Sequence, residues 1–383
     1  MEISEELFQY VVDIRRRIHR HPETGFDLPV TAAVVRAELE KIGFPYSEDY
    51  APCSFIVRIG NDPAKKTLAV RADMDALPVE EKVDLPFKSE VPGKMHACGH
   101  DTHTAILLGV AKLLKEHEHE LPCNVRLFFQ PSEECMESGA EVMVKNGAMD
   151  GVDAIFCTHC ETTIETDEIG FCSGDHMAAC MPFNIRFYGK TSHAAAAPEK
   201  GIDAIRMARE AADRLEVLVK ECFGDRKYIW NVGIFRGGTA HNVIADFCEL
   251  GITFRYFDEA VALSFREKAL ALLHEIAGRF GGRVEAEADI SSRAVINDSE
   301  LVRTFVDVIS QDPRVKLHEM PPRMSSEDFA WYLTKVPGFL FRYGIRNEEL
   351  GCTSPAHSNT FKVDERGFRS ALIAFTDFIM NYR

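Results

Sequence analysis

Apolar positions recur at helical spacing through the first twenty residues, and again from about Thr31 to Lys41, where Gly43 supplies a stop. A His-Pro turn, His21 and Pro22, separates the two helices. The pattern then shortens. Phe55 to Ile59 reads as a strand, and so does Thr67 to Arg71, which leads into Asp73, Asp75 and Pro78. Helical periodicity returns from His103 to His117, followed by the β-like run Asn124 to Gln130 and the polar sequence PSEE. The run Asp153 to Cys157 is expected to end in Thr158, His159 and Cys160. Three strand ends thus carry side chains able to bind a metal, at the edge where open α/β sheets collect their ligands.

From about Ala179 the order changes to strand (Phe183 to Tyr188), helix (Gly201 to Glu221), two strands (Trp230 to Phe235 and Phe247 to Tyr256), helix (Glu259 to Phe280) and strand (Arg283 to Asp289). This β-α-β-β-α-β succession is that of a ferredoxin-like domain. After Ile290 the chain resumes helix, strand and loop, so the segment reads as an insertion. The expectation is a two-domain α/β protein: a catalytic domain from 1–178 and 291–383, interrupted by a ferredoxin-like α+β domain at 179–290.

Composition narrows the function classes. Lys and Arg total 44 against 60 Asp and Glu, and a formal charge of −16 argues against nucleic acid as the partner. No run of about eighteen apolar residues could span a bilayer. The N-terminal residues are acidic and amphipathic rather than a basic segment followed by an apolar one, and eleven cysteines are scattered without a disulfide-type pattern. Both features fit a cytoplasmic protein.

The chemistry concentrates in a few places. MHACGHDTH places His96, Cys98, His100, Asp101 and His103 close together, and thiolate with imidazole suits zinc, manganese or cobalt. Glu133 and Glu134 follow an apolar strand; adjacent side chains point in different directions, so one carboxylate can bind a metal while the other moves protons. His159 and His357 can close the site. Cys98, His100, Glu134, His159 and His357 together exceed what one zinc normally takes and suit two metals with a bridging ligand. Gly189-Lys190-Thr191 lacks the upstream glycine of a phosphate-binding loop, since that position is Asn184.

Nine blocks in order, RRRIHRHPETGF, VRADMDALPVEE, MHACGHDTHTAILLG, FFQPSEE, THC, GKTSHAAAAPEKGIDAI, GGTAHNVIAD, MSSEDFA and AHSNTF, make the chain resemble the amidohydrolase branch of the aminoacylase, carboxypeptidase and dipeptidase superfamily. That branch contains hippurate hydrolases and hydrolases of indole-acetyl-amino acid conjugates. The resemblance implies two divalent metals held by Cys98, His100, Glu134, His159 and His357, with Glu133 as general base. It implies that the inserted domain mediates a homodimer and that His193 polarises the scissile carbonyl, often from the partner subunit. Asn242 and Arg255 are implied substrate contacts, and Met324, Ser326 and Glu327 are placed near specificity. Two departures stand out. Asp73-Met74-Asp75 replaces the His-x-Asp metal motif of other branches, so Asp75 is expected to orient a ligand, and Glu199 stands where many relatives have histidine.

The expected function is metal-dependent hydrolysis of the amide bond of an N-acyl-amino acid or dipeptide-like small molecule. Two other readings use the same residues: a metal-free thiol amidase with Cys98 as nucleophile, and a non-catalytic metal-binding protein.

Overall fold

The computed structural model describes residues 1–383. The chain forms two compact units, one built from Met1–His176, Ile296–Pro321 and Asp328–Arg383, the other from Met177–Val295 and Pro322–Glu327. No helix is long and apolar enough to cross a membrane.

The first unit is organised by an eight-stranded sheet, in the order Tyr46–Ser47, Phe55–Ile59, Asn124–Gln130, Thr67–Asp73, Ala154–Glu165, Gly338–Arg346, Glu168–Phe171, Lys316–Glu319. The four strands from Asn124–Gln130 to Gly338–Arg346 are mutually parallel. Thr67–Asp73 is buried at every residue, as a parallel strand covered on both faces should be. The helix His100–Glu116 packs on it and against Glu5–His19 and Phe368–Asn381. Phe156, fully buried, sits at the aromatic centre of this core, with ring centroids 5.4 Å from Phe339, 5.4 Å from Phe375 and 5.0 Å from Phe378.

Two elements differ from the sequence-based expectation in ways that matter for the site. The helix expected from His103 begins at His100, because its first turn is polar and carries no apolar periodicity to announce it. The strand expected to end before Thr158 continues to Glu165, paired with Gly338–Arg346 along most of its length. His159 therefore lies inside a strand, not at its end; its polar neighbours imitate a strand terminus.

The second unit has an antiparallel sheet ordered Tyr228–Gly237, Phe247–Tyr256, Phe183–Tyr188, Arg283–Glu287, with the short strand Ala179–Cys180 pairing beside it. With helices Ala204–Phe223 and Glu259–Phe280 this is the ferredoxin-like order. Along Phe247–Tyr256 burial alternates, so Cys248, Leu250, Ile252, Phe254 and Tyr256 face the helices. Asp203 and Asp258 cap the helices by accepting backbone N–H bonds in the first turns.

Phe156→Ala should cost about 3–5 kcal/mol, the loss of a large core ring plus the cavity it leaves. Urea unfolding is the check, and an unchanged midpoint would contradict this placement of the core.

Candidate metal centre

The parallel strands set the geometry. Asp73 and Gln130 are opposite one another at the carboxyl ends of adjacent strands, and Arg71 is opposite Cys157, which brings Asp73 level with His159. Glu133 and Glu134 follow Gln130 in a loop held from behind by Asp75, whose oxygens accept from Glu133 N at 2.9 Å and Glu134 N at 3.1 Å. Asp75 Oδ1 also lies 3.4 Å from His100 Nδ1. The expected orienting role of Asp75 thus falls mainly on the glutamate loop.

Cys98 precedes the helix that starts at His100, and Gly99 joins them with φ of +90°. A Cβ there would stand 2.4 Å from Cys160 Sγ, so only glycine lets the ligand turn approach the strand this closely. His357 is delivered by a loop whose backbone N–H bonds Ala97 O at 2.8 Å, and its φ of +67° is a strained conformation for a non-glycine residue.

All five expected ligands come together. Cys98, His100 and His159 form one group, Cys98, Glu134 and His357 a second, and His100, Glu133 and Glu134 a third, with ligand atoms inside each group within 4.8 Å of one another. The first two share Cys98, an arrangement that fits two ions with a common thiolate. Cys98 Sγ lies 3.2 Å from His159 Nε2, and His357 Nε2 3.1 Å from Glu134 Oε1.

Hydrogen bonds fix which histidine nitrogens are available. His159 Nδ1 donates to Cys160 O at 2.8 Å, which leaves the Nε2 lone pair facing Cys98. His100 is fully buried and its ring nitrogens make no close hydrogen bond; Nε2 stands 3.8–3.9 Å from oxygens of Asp73, Glu133 and Glu134, a gap that a bound cation would fill. The set of thiol, imidazole and carboxylate therefore fits divalent first-row ions.

Two further members of the MHACGHDTH cluster, His103 and Asp101, are committed elsewhere. His103 accepts from Cys160 N at 3.0 Å through Nε2 and bonds Asp73 Oδ1 at 2.6 Å through Nδ1, so both nitrogens are used. Asp101 Oδ2 accepts from Arg15 at 2.7 Å and His19 at 2.8 Å. Burial opposes the charge of Asp101, but Arg15 and His19 outweigh it and hold the carboxyl below its ordinary range. His96 is buried and pushed down to about 3, chiefly by burial.

Without metal, the site holds protons. Burial raises the Cys98 thiol well above its usual value, with Glu134 and Glu133 adding to the effect. Burial resists charge on His100 as well, yet Asp73, Asp75 and Glu134 win and raise it to about 10. Asp73 is held well below the carboxylate range: burial opposes its charge, and His100, Arg71 and His103 overcome that cost.

His193, Asn242 and Arg255 belong to the second unit. His193 is exposed, and its Nδ1 accepts from Ala195 N and Ala196 N, both at 3.2 Å, which places the proton of the neutral ring on Nε2. Ala194 N bonds Asn242 O at 2.9 Å, bringing the Asn242 backbone to the His193 loop. Arg255 is elsewhere on the sheet, donating to Ser326 Oγ.

Sequence reasoning missed one set of residues behind the ligands: Arg71, Gln130 and Asp328, all in the first unit, joined by Arg71 Nε to Gln130 Oε1 at 2.8 Å and Arg71 Nη2 to Asp328 Oδ1 at 2.7 Å. A signal was present. An arginine in the middle of the apolar run TLAVRAD requires buried partners.

A parallel α/β unit with this ligand cluster at its carboxyl edge, in one chain with a ferredoxin-like unit, defines a two-domain metal-dependent hydrolase. The model of peptidase family M20/M25/M40 matches residues 69–381, and the chain belongs to that family. It is 35% identical over 365 residues to thermostable carboxypeptidase 1 of Saccharolobus solfataricus, covering 94% of this chain and 92% of that protein. It is 37% identical over 368 residues to IAA-amino acid hydrolase ILR1-like 4 of Arabidopsis thaliana, covering 94% and 82%. Among solved structures, a putative aminohydrolase from methicillin-resistant Staphylococcus aureus superposes with a TM-score of 0.92 at 28% identity, covering 99% of this chain and 97% of that one. The Bacillus subtilis YXEP protein, described as a dinuclear metal binding peptidase, gives 0.85 at 29% identity, covering 98% of each chain.

Because Cys98 and His100 are protonated in the metal-free protein at neutral pH and must lose those protons to bind, metal affinity should rise with pH by up to about 100-fold per unit between pH 6 and 8. Calorimetry in buffers of different ionisation enthalpy should register about two protons released per chain on full loading. No proton release would contradict the assignment of these ligands.

Proposed function

We propose that the protein hydrolyses the amide bond of N-acyl-amino acids or small dipeptide-like substrates, with Glu133 as general base. The observation that carries this is the pair of ligand groups sharing Cys98, with the Glu133 carboxylate beside His100 and Glu134. Cys98, His100, Glu134, His159 and His357 would hold two divalent ions of zinc, manganese or cobalt. Such ions supply Lewis acidity, an acidified water nucleophile and a polarised carbonyl. Glu133 takes the proton of the attacking water and returns it to the leaving nitrogen. It is one-tenth exposed, 11%, so it faces the site without being sealed from substrate. The relatives named for hydrolysing IAA-amino acids and for carboxypeptidase activity support substrates with an amino-acid leaving group.

His193, with Nε2–H free to donate, is assigned to the developing oxyanion, and Asn242 and Arg255 to polar groups of the substrate. A homodimer through the second unit belongs to the same reading. Its support is the edge strand Tyr228–Gly237, which leaves Ile229, Val232, Ile234 and Phe235 exposed beside an unpaired ladder. A reducing, cytoplasmic setting is proposed with it, on the eleven free thiols.

The thiol reading draws no support from this site. A nucleophilic Cys98 needs a lowered pKa, whereas burial and two glutamates raise it. His159, its nearest imidazole, is itself a poor base, pushed down by burial and Arg342.

Glu133→Ala should lower kcat on an N-acetyl- or N-benzoyl-amino acid by at least about 100-fold while metal content stays intact, since general-base contributions run to about 10²–10⁴. Near-normal turnover in that variant would remove Glu133 from the mechanism. Charged substitutions at Ile234 and Phe235 should shift the protein from dimer to monomer in sedimentation velocity; a wild-type monomer at micromolar concentration would contradict the dimer.

A further inference from the structure

Five hydrogen bonds converge on the carboxylate of Asp328, which is none of the five expected ligands. Arg71 Nη2 donates to Oδ1 at 2.7 Å, and Gln130 Nε2 reaches Oδ1 at 2.9 Å and Oδ2 at 2.8 Å. Ser138 Oγ and Ala140 N donate to Oδ2 at 2.7 and 3.2 Å. All five of these bonds come from donors, which suits an acceptor-only group.

These partners have particular places in the chain. Gln130 ends the strand that leads into Glu133 and Glu134, while Ser138 and Ala140 open the helix Gly139–Lys145 that follows them. One carboxylate therefore ties together both ends of the glutamate loop. The closure is tight: Gly139 N bonds Ser132 O at 2.8 Å, and a Cβ on Gly139 would stand 1.7 Å from Pro131 O.

A second arm runs through Arg71. Its Nη1 donates to Asp73 Oδ2 at 2.6 Å, Asp73 Oδ1 bonds His103 Nδ1 at 2.6 Å, and His103 Nε2 accepts from the N–H of Cys160, the residue after His159. Arg71 is thus shared between two buried carboxylates. Removing the Asp328 charge would shift the guanidinium toward Asp73 and compete with the Asp73–His103 bond.

We propose that Asp328 is a positioning residue of the metal centre. Through Gln130, Ser138 and Ala140 it sets the loop of Glu133 and Glu134; through Arg71, Asp73 and His103 it sets the backbone beside His159. The inference rests on the reading of the cluster as a metal centre.

The test compares full-length wild type with Asp328→Asn, Ser138→Ala and His103→Asn. Zinc affinity and stoichiometry are measured by competition with a chromogenic chelator, alongside thermal unfolding of each metal-free protein. Asp328→Asn, which sets an amide donor against donors, should weaken zinc binding by about 10–100-fold, the range typical of outer-shell partners, and Ser138→Ala by a few-fold. The double variant Asp328→Asn/His103→Asn should lose less than the product of the two single effects, because both act through one chain of contacts. Wild-type zinc affinity in a folded Asp328→Asn, even with a lowered melting temperature, would make the residue structural only and overturn the proposal. If Asp328→Asn does not fold, wild-type affinity in both Ser138→Ala and His103→Asn overturns it. A wild type that binds no zinc, manganese or cobalt would instead defeat the metal-centre reading on which the inference stands.

Discussion

Buried like charges at close quarters are the constraint around which this molecule is arranged. Asp73, Asp75, Glu133 and Glu134 meet a thiol and several imidazoles in one small region, and ligand atoms within each group lie within 4.8 Å. At about 4 Å, two unit charges repel by about 4 kcal/mol at an effective dielectric constant near 20. Protein cations answer only part of this. Arg71 neutralises Asp73 and Asp328, and Arg15 neutralises Asp101. In the metal-free protein the balance is struck by protons, as the elevated His100 and Cys98 values record. Divalent ions would displace those protons, which makes metal loading and protonation alternative solutions to one electrostatic problem.

The fold turns that constraint into geometry by using rigid elements. Parallel pairing fixes the heights of Asp73, Gln130 and His159, and Asp75 grips the amides of both glutamates. His159 is oriented by its bond to Cys160 O, so the nitrogen left over is the one that faces Cys98. His357 alone comes from an exposed loop in a strained backbone conformation. Of the five candidate ligands it has the least structural support, so its placement would depend most on a bound ion.

Much of this was legible in the sequence wherever one physical signal dominated. Strands Phe55–Ile59, Asn124–Gln130, Phe183–Tyr188 and Phe247–Tyr256 and helix Glu259–Phe280 are apolar patterns bounded by turn residues, and they were placed at their observed limits. His100 and His159 were set in the wrong elements because polar residues in a first helical turn or inside a paired strand mimic loops. Asp328 escaped notice because a buried carboxylate and a surface one look alike in sequence. What separates them is Arg71, more than 250 residues away, and only folding brings the two together.

Cys98 is common to both candidate ligand groups, and the proposed two-metal site turns on it. Optical titration of the metal-free protein with cobalt(II) tests it directly. The expected result is two equivalents bound per chain, with a near-ultraviolet thiolate-to-cobalt charge-transfer band that disappears in Cys98→Ser. A single equivalent, or two equivalents bound with no thiolate band, would contradict it.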